Sequence, residues 1–335
     1  MRIAVIGSGS WGTAVASLAA ANGQVLLWSR RPDVAANINS YHENLRYLPG
    51  FRLPDSIMAS SDLAKVVDRA DALAIGVPSH GLREVLESVS NLVHPEMPIV
   101  SLSKGIEQGT LMRMTEVIGD VLPQHERSRI GVLSGPNLAK EIMAGQPSAT
   151  VIAMADETAA ISLQTALMSP LFRVYTNPDV VGCEVAGACK NVMAIASGIA
   201  TGLGLGDNTR AMLVTRALAE LTRLGVELGG SPITFSGLAG VGDLIATCYS
   251  SQSRNYTVGF GLGSGQTLDA IAAEMNMVAE GVKSTEAILE LAARANVEMP
   301  IASQVGHILY DGGDPLEGMQ ALMTRDPKNE GNGIS

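Results

Sequence analysis

The chain shows two patterns of apolar and polar positions, and the change between them falls near residue 178. Before it, short apolar runs that end in Gly, Ser or Pro alternate with stretches whose apolar residues recur every three or four positions. Short apolar runs are typical of buried strands, and the recurring spacing predicts helices. Strands that alternate with helices predict a doubly wound sheet of parallel strands. The predicted strands cover 3–6, 25–28, 72–78, 99–102, 130–133, 149–153 and 172–175, and the predicted helices cover 13–21, 61–68, 82–92, 110–121 and 156–167.

After the change, the pattern predicts helices and no convincing strand. Residues 181–202 are apolar or small at nearly every position, which predicts a helix buried on most sides. We therefore expect an α/β chain with a mostly parallel, doubly wound sheet in residues 1–178 and an all-helical domain in residues 179–325. Residues 326–335 are polar and contain glycine, so we expect a flexible tail. Further helices are predicted over 207–225, 268–275, 285–295, 301–310 and 316–323.

Composition places the chain among globular proteins and narrows its partners. Its 335 residues suit two domains, and 46% are hydrophobic and 17% charged. A net charge of −10 argues against general binding to nucleic acid or anionic lipid, so an anionic substrate needs a local basic cluster. We see neither a signal peptide nor an apolar stretch of the roughly 20 residues that a membrane span needs, and expect a cytoplasmic protein. Cys183, Cys189 and Cys248 form no C-x-x-C pair, and we expect them to be reduced and buried.

The first predicted strand leads directly into a glycine-rich turn. Gly7, Gly9 and Gly12 occupy the three glycine places of G-x-G-x-x-G, between a strand and a helix. In a dinucleotide site the first glycine permits a tight turn, the second lets a pyrophosphate approach the backbone, and the third lets the helix pack closely on the sheet. Such a triplet alone is a weak signal, and a plain tight turn is the alternative, but its context indicates a Rossmann-like domain.

Ser29, Arg30 and Arg31 follow the second strand, where NAD-specific sites usually carry Asp or Glu against the ribose 2′-hydroxyl. Guanidinium groups can bind a 2′-phosphate in bidentate fashion, whereas a carboxylate would repel it. We therefore expect NADPH or NADP to be accepted well, with NADH or NAD as a further possibility. The alternative is that one arginine simply lies in solvent.

Three further loops follow predicted strands and therefore fall at the same edge as the glycine turn, where ligands bind in such sheets. They contain residues 77–80, Lys104 and residues 135–139. Lys104 could hydrogen-bond a substrate hydroxyl, or could be a surface lysine in a turn. His80 is an alternative base because histidine titrates near neutral pH. The sequence shows no metal-binding set such as H-E-x-x-H, so we expect no metal.

Lys190 is the most informative single residue of the second half, because nearly every neighbour in the chain is apolar or small. Lysine is rarely buried without a reason. Desolvation lowers the pKa of an ammonium group, which would allow Lys190 to act as a general base. The alternative is a structural lysine that reaches solvent or pairs with Glu184.

A second cluster combines the glycine turn 240–242 and Asp243 with the polar residues 250–255. Arg254, Asn255 and the N–H groups at a helix start would suit a phosphate. The alternative is an ordinary helix that Ser253 caps, with Arg254 in solvent.

Taken together, these motifs resemble the bacterial-type NAD(P)-dependent sn-glycerol-3-phosphate dehydrogenases over essentially the whole chain. In the stretch 134–141 the chain departs from the family, because Asn137 stands where Ser or Thr is more frequent and Leu138 replaces an aromatic residue. The two adjacent arginines are a variable feature of the family. The resemblance is carried by residues 7–13, 77–80, 103–105, 134–141, 190–192, 238–244, 252–255 and 278–281.

The resemblance implies an enzyme that interconverts dihydroxyacetone phosphate and sn-glycerol 3-phosphate, a precursor of phospholipids, and that forms a homodimer. It implies Lys190 as the catalytic acid and base. The implied cofactor contacts are Gly7, Gly9, Ser10, Trp11, Gly12, Arg30, Arg31, Lys104, Ala139, Arg254, Val278 and Glu280. The implied substrate contacts are Lys104, Gly135, Asn137, Lys190, Asp243, Ser253, Arg254 and Asn255.

Two other functions fit the same motifs. One is a different two-domain dehydrogenase that acts on a hydroxy acid and has no phosphate pocket. The other is a redox sensor that binds NAD(P) without turnover and therefore needs no proton carrier at Lys190.

Overall fold

The structure, a computed structural model, describes residues 1–275, 279–327 and 329–330. Val278, an expected cofactor contact, lies outside the described residues, as do residues 328 and 331–335 of the expected tail. The described chain divides into two compact units, of which the first comprises Met1–Lys104 and Met114–Val180, and the second Gly105–Arg113 and the residues from Val181 onward. Cofactor binding by one unit and substrate binding by the other stay predictions.

The first unit is built on a sheet that has eight strands among the described residues, in the order β10-β9-β8-β7-β6-β1-β2-β5. All neighbouring strands are parallel except β8 and β9, which pair antiparallel. This confirms the predicted mostly parallel, doubly wound sheet. The strands are β1 Arg2–Ile6, β2 Gln24–Trp28, β3 Glu43–Asn44, β4 Leu48–Arg52, β5 Ile57–Ser60, β6 Ala72–Ile75, β7 Ile99–Ser101, β8 Ile130–Ser134, β9 Ser148–Ala153 and β10 Phe172–Asn177; β3 and β4 form a separate hairpin.

The strand order places a topological switch point next to β1. The chain runs outward from β1 through β2 to β5 and then returns to add β6 on the opposite side of β1. Ligands of open α/β sheets bind at such a point, beyond the carboxyl ends of the strands. The glycine turn follows β1, so it lies at the position where a dinucleotide is expected.

The helices of the first unit largely follow the predicted pattern, but the helix Ala139–Met143 was not predicted and two predicted helices differ in extent. Residues 110–113 are not helical, because Leu111 has a φ of +59° and Arg113 pairs in a β-bridge with Ile106. Residues 82–92 form a helix followed by a 3₁₀ turn, Ser90–Leu92, rather than one helix. The helices are α1 Ser10–Ala20, α2 Pro32–Tyr41, α3 Leu63–Val67, α4 Leu82–Glu87, α5 Met114–Val121, α6 Ala139–Met143 and α7 Glu157–Leu167.

The second unit is helical in its described residues, apart from the bridge at Ile106 and Arg113. Its hydrophobic core surrounds the first long helix, as the pattern predicts. Its helices are α8 Val180–Gly202, α9 Asp207–Glu227, α10 Pro232–Phe235, α11 Asp243–Tyr249, α12 Arg254–Gly263, α13 Leu268–Glu274, α14 Glu280–Arg294, α15 Pro300–Tyr310 and α16 Pro315–Met323, with a π-helical turn at Leu238–Gly242.

Among the described residues, α8 alone is long and apolar enough to cross a membrane, by length and composition. The sequence expectation that no stretch reaches this length is therefore wrong. However, 89% of its most apolar window is buried inside the protein, as in a core helix.

Candidate active site

The glycine turn after β1 has the geometry of a dinucleotide-binding loop. Gly7 has a φ of +121°, and a Cβ there would lie 2.6 Å from the Gly76 carbonyl oxygen. A Cβ on Gly12 would lie 1.9 Å from the Gly7 carbonyl oxygen. The protein's own backbone therefore requires glycine at both positions, as the fingerprint predicts.

Gly9 differs from these two glycines. It has an ordinary φ of −65°, and a Cβ there would meet nothing within 4 Å. Packing inside the described protein thus gives no reason for glycine at this position, while a close ligand would. No side chain of the described residues caps the N-terminus of α1, so its first N–H groups point into the same space.

The two residues that follow Gly9 leave one polar group for a ligand. The Ser10 hydroxyl donates to the Tyr47 carbonyl oxygen at 2.5 Å. The Nε1–H of Trp11 is buried and has no acceptor among the described residues. An orphaned indole donor and an uncapped helix start fit the phosphates and polar groups of NAD(P).

The structure distinguishes the two arginines after β2. Arg31 is bound to Asp33 by two hydrogen bonds of 3.1 Å, and this contact lowers the pKa of the Asp33 carboxyl group. Arg30 is exposed and has no partner among the described residues. Ser29 is buried and accepts a hydrogen bond of 2.8 Å from Ser8. Arg30 is therefore the guanidinium available to a 2′-phosphate.

Lys104 and the loop after β8 lie together. The Lys104 Nζ donates to the Gly135 carbonyl oxygen at 3.1 Å, and Gly135 has a φ of +145°. Asn137 donates from Nδ2 to the Thr150 hydroxyl at 3.1 Å, whereas its buried Oδ1 has no donor among the described residues. Ala139 begins α6 directly after this loop.

His80 lies exposed in a 3₁₀ turn, Ser79–Gly81, with no hydrogen bond among the described residues.

Lys190 is buried in the second unit and has two oxygen partners. Its Nζ lies 2.8 Å from Asp243 Oδ1 and donates to the Thr247 hydroxyl at 2.5 Å. The side chains of Lys190 and Asp243 are 8% and 2% exposed, so the pair is almost fully removed from water. Glu184, the partner considered from sequence, instead pairs with Arg113 at 2.6 Å.

The π-helical turn Leu238–Gly242 brings Asp243 to Lys190. A Cβ on Gly240 would lie 2.1 Å from the Phe235 carbonyl oxygen, so only glycine allows the chain to pass so closely. The turn ends at Asp243, which begins α11. Single π-helical turns are rare and frequent at functional sites, which agrees with this position.

In the polar segment 250–255, Ser253 and Asn255 form hydrogen bonds that stabilise the fold. The Ser253 hydroxyl accepts from Tyr256 N at 3.3 Å and caps α12, as the alternative reading predicts. Asn255 donates to Asn191 Oδ1 and accepts from Gly281 N, both at 2.9 Å. These bonds join α12 to α8 and to the start of α14.

Arg254 and Glu280 lie close enough to interact. Burial lowers the pKa of the Arg254 guanidinium, and the Glu280 carboxylate opposes that shift. Both residues were expected to contact the cofactor, and Arg254 the substrate as well; these contacts stay predictions.

Thr247 and Asn191, two residues near Lys190 in space or in the chain, were not among the predicted site residues. Thr247 lies four positions after Asp243, one turn along α11, where the i to i+4 spacing places both side chains on one face. Asn191 follows Lys190 and forms the bond to Asn255. A predicted helix over 243–249 would have pointed to Thr247, but the preceding glycines obscured that helix.

Comparisons with known proteins agree over nearly the whole chain. Two family models match, described as NAD-dependent glycerol-3-phosphate dehydrogenase N-terminus over residues 2–160 and C-terminus over residues 179–320. A protein of Sphingopyxis alaskensis named glycerol-3-phosphate dehydrogenase [NAD(P)+] 2 is 54% identical over 305 residues, 91% of each chain. A glycerol-3-phosphate dehydrogenase [NAD(P)+] of Streptomyces coelicolor is 51% identical over 331 residues, 98% of each chain.

Solved structures give the same picture. The crystal structure of glycerol-3-phosphate dehydrogenase from Coxiella burnetii is similar with a TM-score of 0.92 and 37% identity, over 97% of this chain and 99% of that one. A ketopantoate reductase from Ralstonia eutropha shares the fold at 16% identity, with a TM-score of 0.58 over 95% of this chain and all of that one. Since both halves match the family models and the relatives cover nearly the whole chain, this protein belongs to the NAD-dependent glycerol-3-phosphate dehydrogenase family.

Proposed function

We propose that this protein is an NAD(P)-dependent sn-glycerol-3-phosphate dehydrogenase with Lys190 as its catalytic acid and base. It interconverts dihydroxyacetone phosphate and sn-glycerol 3-phosphate. The observation that carries the assignment of Lys190 is its buried cluster with Asp243 and Thr247, in a chain that belongs to this family.

The first unit supplies the features that fit the cofactor. NAD(P) carries the hydride that is added to or removed from C2 of the substrate. The open space at Gly9 and the uncapped start of α1 would hold its pyrophosphate, and the orphaned Trp11 Nε1–H would donate to one of its polar groups. Arg30 would bind a 2′-phosphate, so NADP(H) should be favoured over NAD(H).

Lys190 is held for proton transfer by its two oxygen partners. An ammonium group has three N–H donors, and Asp243 and Thr247 accept two of them. Thr247 is fixed as an acceptor because its own hydroxyl donates to the Asp243 carbonyl oxygen at 2.7 Å. The third donor of Lys190 has no partner among the described residues, and we assign it to the oxygen on C2 of the substrate.

Lys190 transfers a proton in both directions of the reaction, reduction and oxidation. In reduction, Lys190 gives a proton to the carbonyl oxygen of dihydroxyacetone phosphate as hydride reaches C2, and becomes a neutral amine. In oxidation, the neutral amine takes the hydroxyl proton of glycerol 3-phosphate as hydride leaves. Asp243 stabilises the ammonium form on either side of the reaction.

The substrate phosphate requires local positive charge in a protein whose net charge is −10. We assign this role to Arg254, and we assign to Lys104 a hydrogen bond with a substrate hydroxyl. Asn137, whose Oδ1 lacks a donor among the described residues, would accept a substrate hydroxyl. We further propose that the enzyme works as a cytoplasmic homodimer and supplies glycerol 3-phosphate for phospholipid synthesis.

The decisive assay follows NADPH oxidation by the purified protein with three acceptors: dihydroxyacetone phosphate, its unphosphorylated form dihydroxyacetone, and a 2-keto acid. Dihydroxyacetone phosphate should be reduced more than roughly tenfold faster, because a lost charge-assisted phosphate contact costs at least about one factor of ten. Equal rates with dihydroxyacetone would contradict the phosphate site. A faster 2-keto acid would indicate a hydroxy-acid dehydrogenase, and NADPH binding without any turnover would indicate a redox sensor.

A further inference from the structure

The short segment Gly105–Arg113 belongs to the second unit although the chain on both sides belongs to the first. It turns back on itself, with a β-bridge between Ile106 and Arg113 and a hydrogen bond of 3.0 Å from Glu107 N to Met112 O. Ile106 and Leu111 are 4% and 5% exposed and form part of the hydrophobic core around α8. We call residues 105–113 the hairpin segment.

Polar contacts also attach the hairpin segment to the second unit. Arg113 Nη1 lies 2.6 Å from Glu184 Oε2 on α8, with side chains 16% and 5% exposed. Gln108 Nε2 donates to the Lys283 carbonyl oxygen on α14 at 3.1 Å. The backbone of Leu111 has a φ of +59°, which is rare for a leucine and persists only where the surroundings fix it.

Lys104 immediately precedes this anchored segment. Its Cα is one peptide bond, about 3.8 Å, from the Cα of Gly105. Its Nζ is held in the first unit by the Gly135 carbonyl oxygen. The hairpin segment therefore holds the backbone of Lys104, and the Gly135 carbonyl oxygen holds its side chain. A displacement of the hairpin segment would change which positions the amine can reach.

We infer that the hairpin segment is a tether that fixes the backbone of Lys104, the residue bonded to its start, with the Arg113–Glu184 ion pair as its principal anchor. Glu184 lies six positions before Lys190 on the same helix, about 9 Å along its axis. Arg113 thus acts through Lys104, as a positioning residue of the reaction, and has no contact of its own with the reacting atoms. This inference rests on the proposed function of Lys104 and Lys190.

Neither of the two simpler roles accounts for all of these contacts. If the Arg113–Glu184 ion pair only stabilised the second unit, its position in a segment that starts directly after Lys104, the proposed substrate contact, would be unexplained. A loop that merely connects β7 to α5 could remain on the surface of the first unit, as connections usually do. Instead the segment buries two apolar side chains and a charged one.

A double-mutant cycle tests the inference in the full-length enzyme. Arg113→Met should lower kcat/KM for dihydroxyacetone phosphate about tenfold in the native background and less than twofold in a Lys104→Ala background. Arg113→Lys, which keeps a cation near Glu184, should recover most of the activity. Arg83→Met is the matched control, since Arg83 forms an ion pair of the same 2.6 Å length with Asp120 within the first unit; its effect should be the same in both backgrounds.

An equal loss in both backgrounds for Arg113→Met would overturn the inference, because it would show a purely structural role. Hydrogen–deuterium exchange gives a second readout that needs no activity. Arg113→Met and, separately, Glu184→Gln should each raise exchange in the peptide that covers Ser103–Gly105, with no change at the start of α1. Unchanged exchange at 103–105 in both variants would refute the tether even if the enzyme reduced no dihydroxyacetone phosphate, whereas raised exchange without turnover would refute only the proposed function.

Discussion

The glycine loop of the first unit and the Lys190 cluster of the second unit present different kinds of atoms to a ligand. The loop offers backbone: the space at Gly9, the first N–H groups of α1 and one indole N–H. The Lys190 cluster offers side chains, which come from α8 and α11 and are up to 57 positions apart in the chain. A backbone site depends on the path of the chain, whereas a side-chain site depends on individual functional groups.

This difference predicts how each site fails. In the loop, the harmful changes are those that add atoms. In the cluster, the harmful changes are those that remove one. Paired substitutions can separate the two cases.

The largest effect is expected at Lys190. Lys190→Met removes the proton carrier at similar side-chain volume, and turnover should fall by roughly 10² or more, the usual scale of general acid–base catalysis. NADPH binding, measured by calorimetry, should persist. Because the single variant leaves Asp243 buried beside an apolar chain, the double variant Lys190→Met with Asp243→Asn serves as the folded control. Unchanged turnover in either variant would remove Lys190 from the mechanism.

Gly9 and Gly12 form the matched pair for the backbone site. Gly12→Ala should destabilise the protein by about 3 kcal/mol or more, because its Cβ would lie 1.9 Å from the Gly7 carbonyl oxygen. Gly9→Ala should change the free energy of unfolding by no more than about 0.5 kcal/mol, since its Cβ meets nothing within 4 Å. It should nevertheless weaken NADPH binding about tenfold or more, if the pyrophosphate lies there. Wild-type affinity in Gly9→Ala would show that the space serves no ligand.

The two units should also respond oppositely to pH. Glu220 on α9 is buried, with its carboxylate accepting from Ile301 N at 2.8 Å, and burial raises its pKa from 4.5 to about 7. The folded protein thus holds a proton that the unfolded chain loses above pH 4.5. The free energy of unfolding should therefore fall as pH rises from 4.5 to 7, by at most about 3 kcal/mol from this group.

Denaturant titrations at several pH values in this window measure the effect. Glu220→Gln should remove this contribution to the pH dependence of the free energy of unfolding, whether the variant is more or less stable than the native protein. In the first unit, burial lowers the pKa of His125 below 6.5, so its contribution is present above pH 6.5 and is lost as pH falls through the lowered value. An unaltered slope in Glu220→Gln would contradict the assigned role of Glu220.

The smallest effect concerns the two arginines after β2. Arg30→Ala should raise the KM for NADPH roughly tenfold and leave the KM for NADH unchanged, because a charge-assisted phosphate contact is worth about that much. Arg31→Ala should have a smaller effect, since Arg31 is already bound to Asp33. Steady-state kinetics with both cofactors decide the assignment, and the reverse ranking would move the 2′-phosphate contact to Arg31.

The same contrast explains what the sequence could predict. Buried parallel strands appear as uninterrupted apolar runs, so β1, β2 and β6 were predicted within a few residues. The strand β5 was missed because it is a short edge strand, in which only Ile57, Met58 and Ala59 are apolar between Ser56 and Ser60. The antiparallel pairing of β8 with β9 depends on the path of the connection between them, and the pattern of apolar residues does not encode that path.

Among site residues, the glycine loop was predictable because its chemistry lies in one contiguous motif. The partner of Lys190 was not, since Glu184 lies nearer in the chain than Asp243 and has the same carboxylate. Only the folded chain shows that Glu184 forms its ion pair with Arg113. It also shows that a π-helical turn places Asp243 next to the Lys190 amine. Thr247 was missed for the same reason.

The hairpin segment also determines how enzymes of this architecture can exchange parts by recombination. A chimaera joined at residue 180 alone would combine the helices of one parent with the residues 105–113 of the other. The foreign Ile106 and Leu111 would have to fit a core that did not evolve with them, and Glu184 would depend on a foreign Arg113 for its counter-charge. Crossovers should therefore be tolerated best when residues 105–113 and the helical half come from the same parent. The part that must be exchanged together is thus encoded by two separate stretches of the gene.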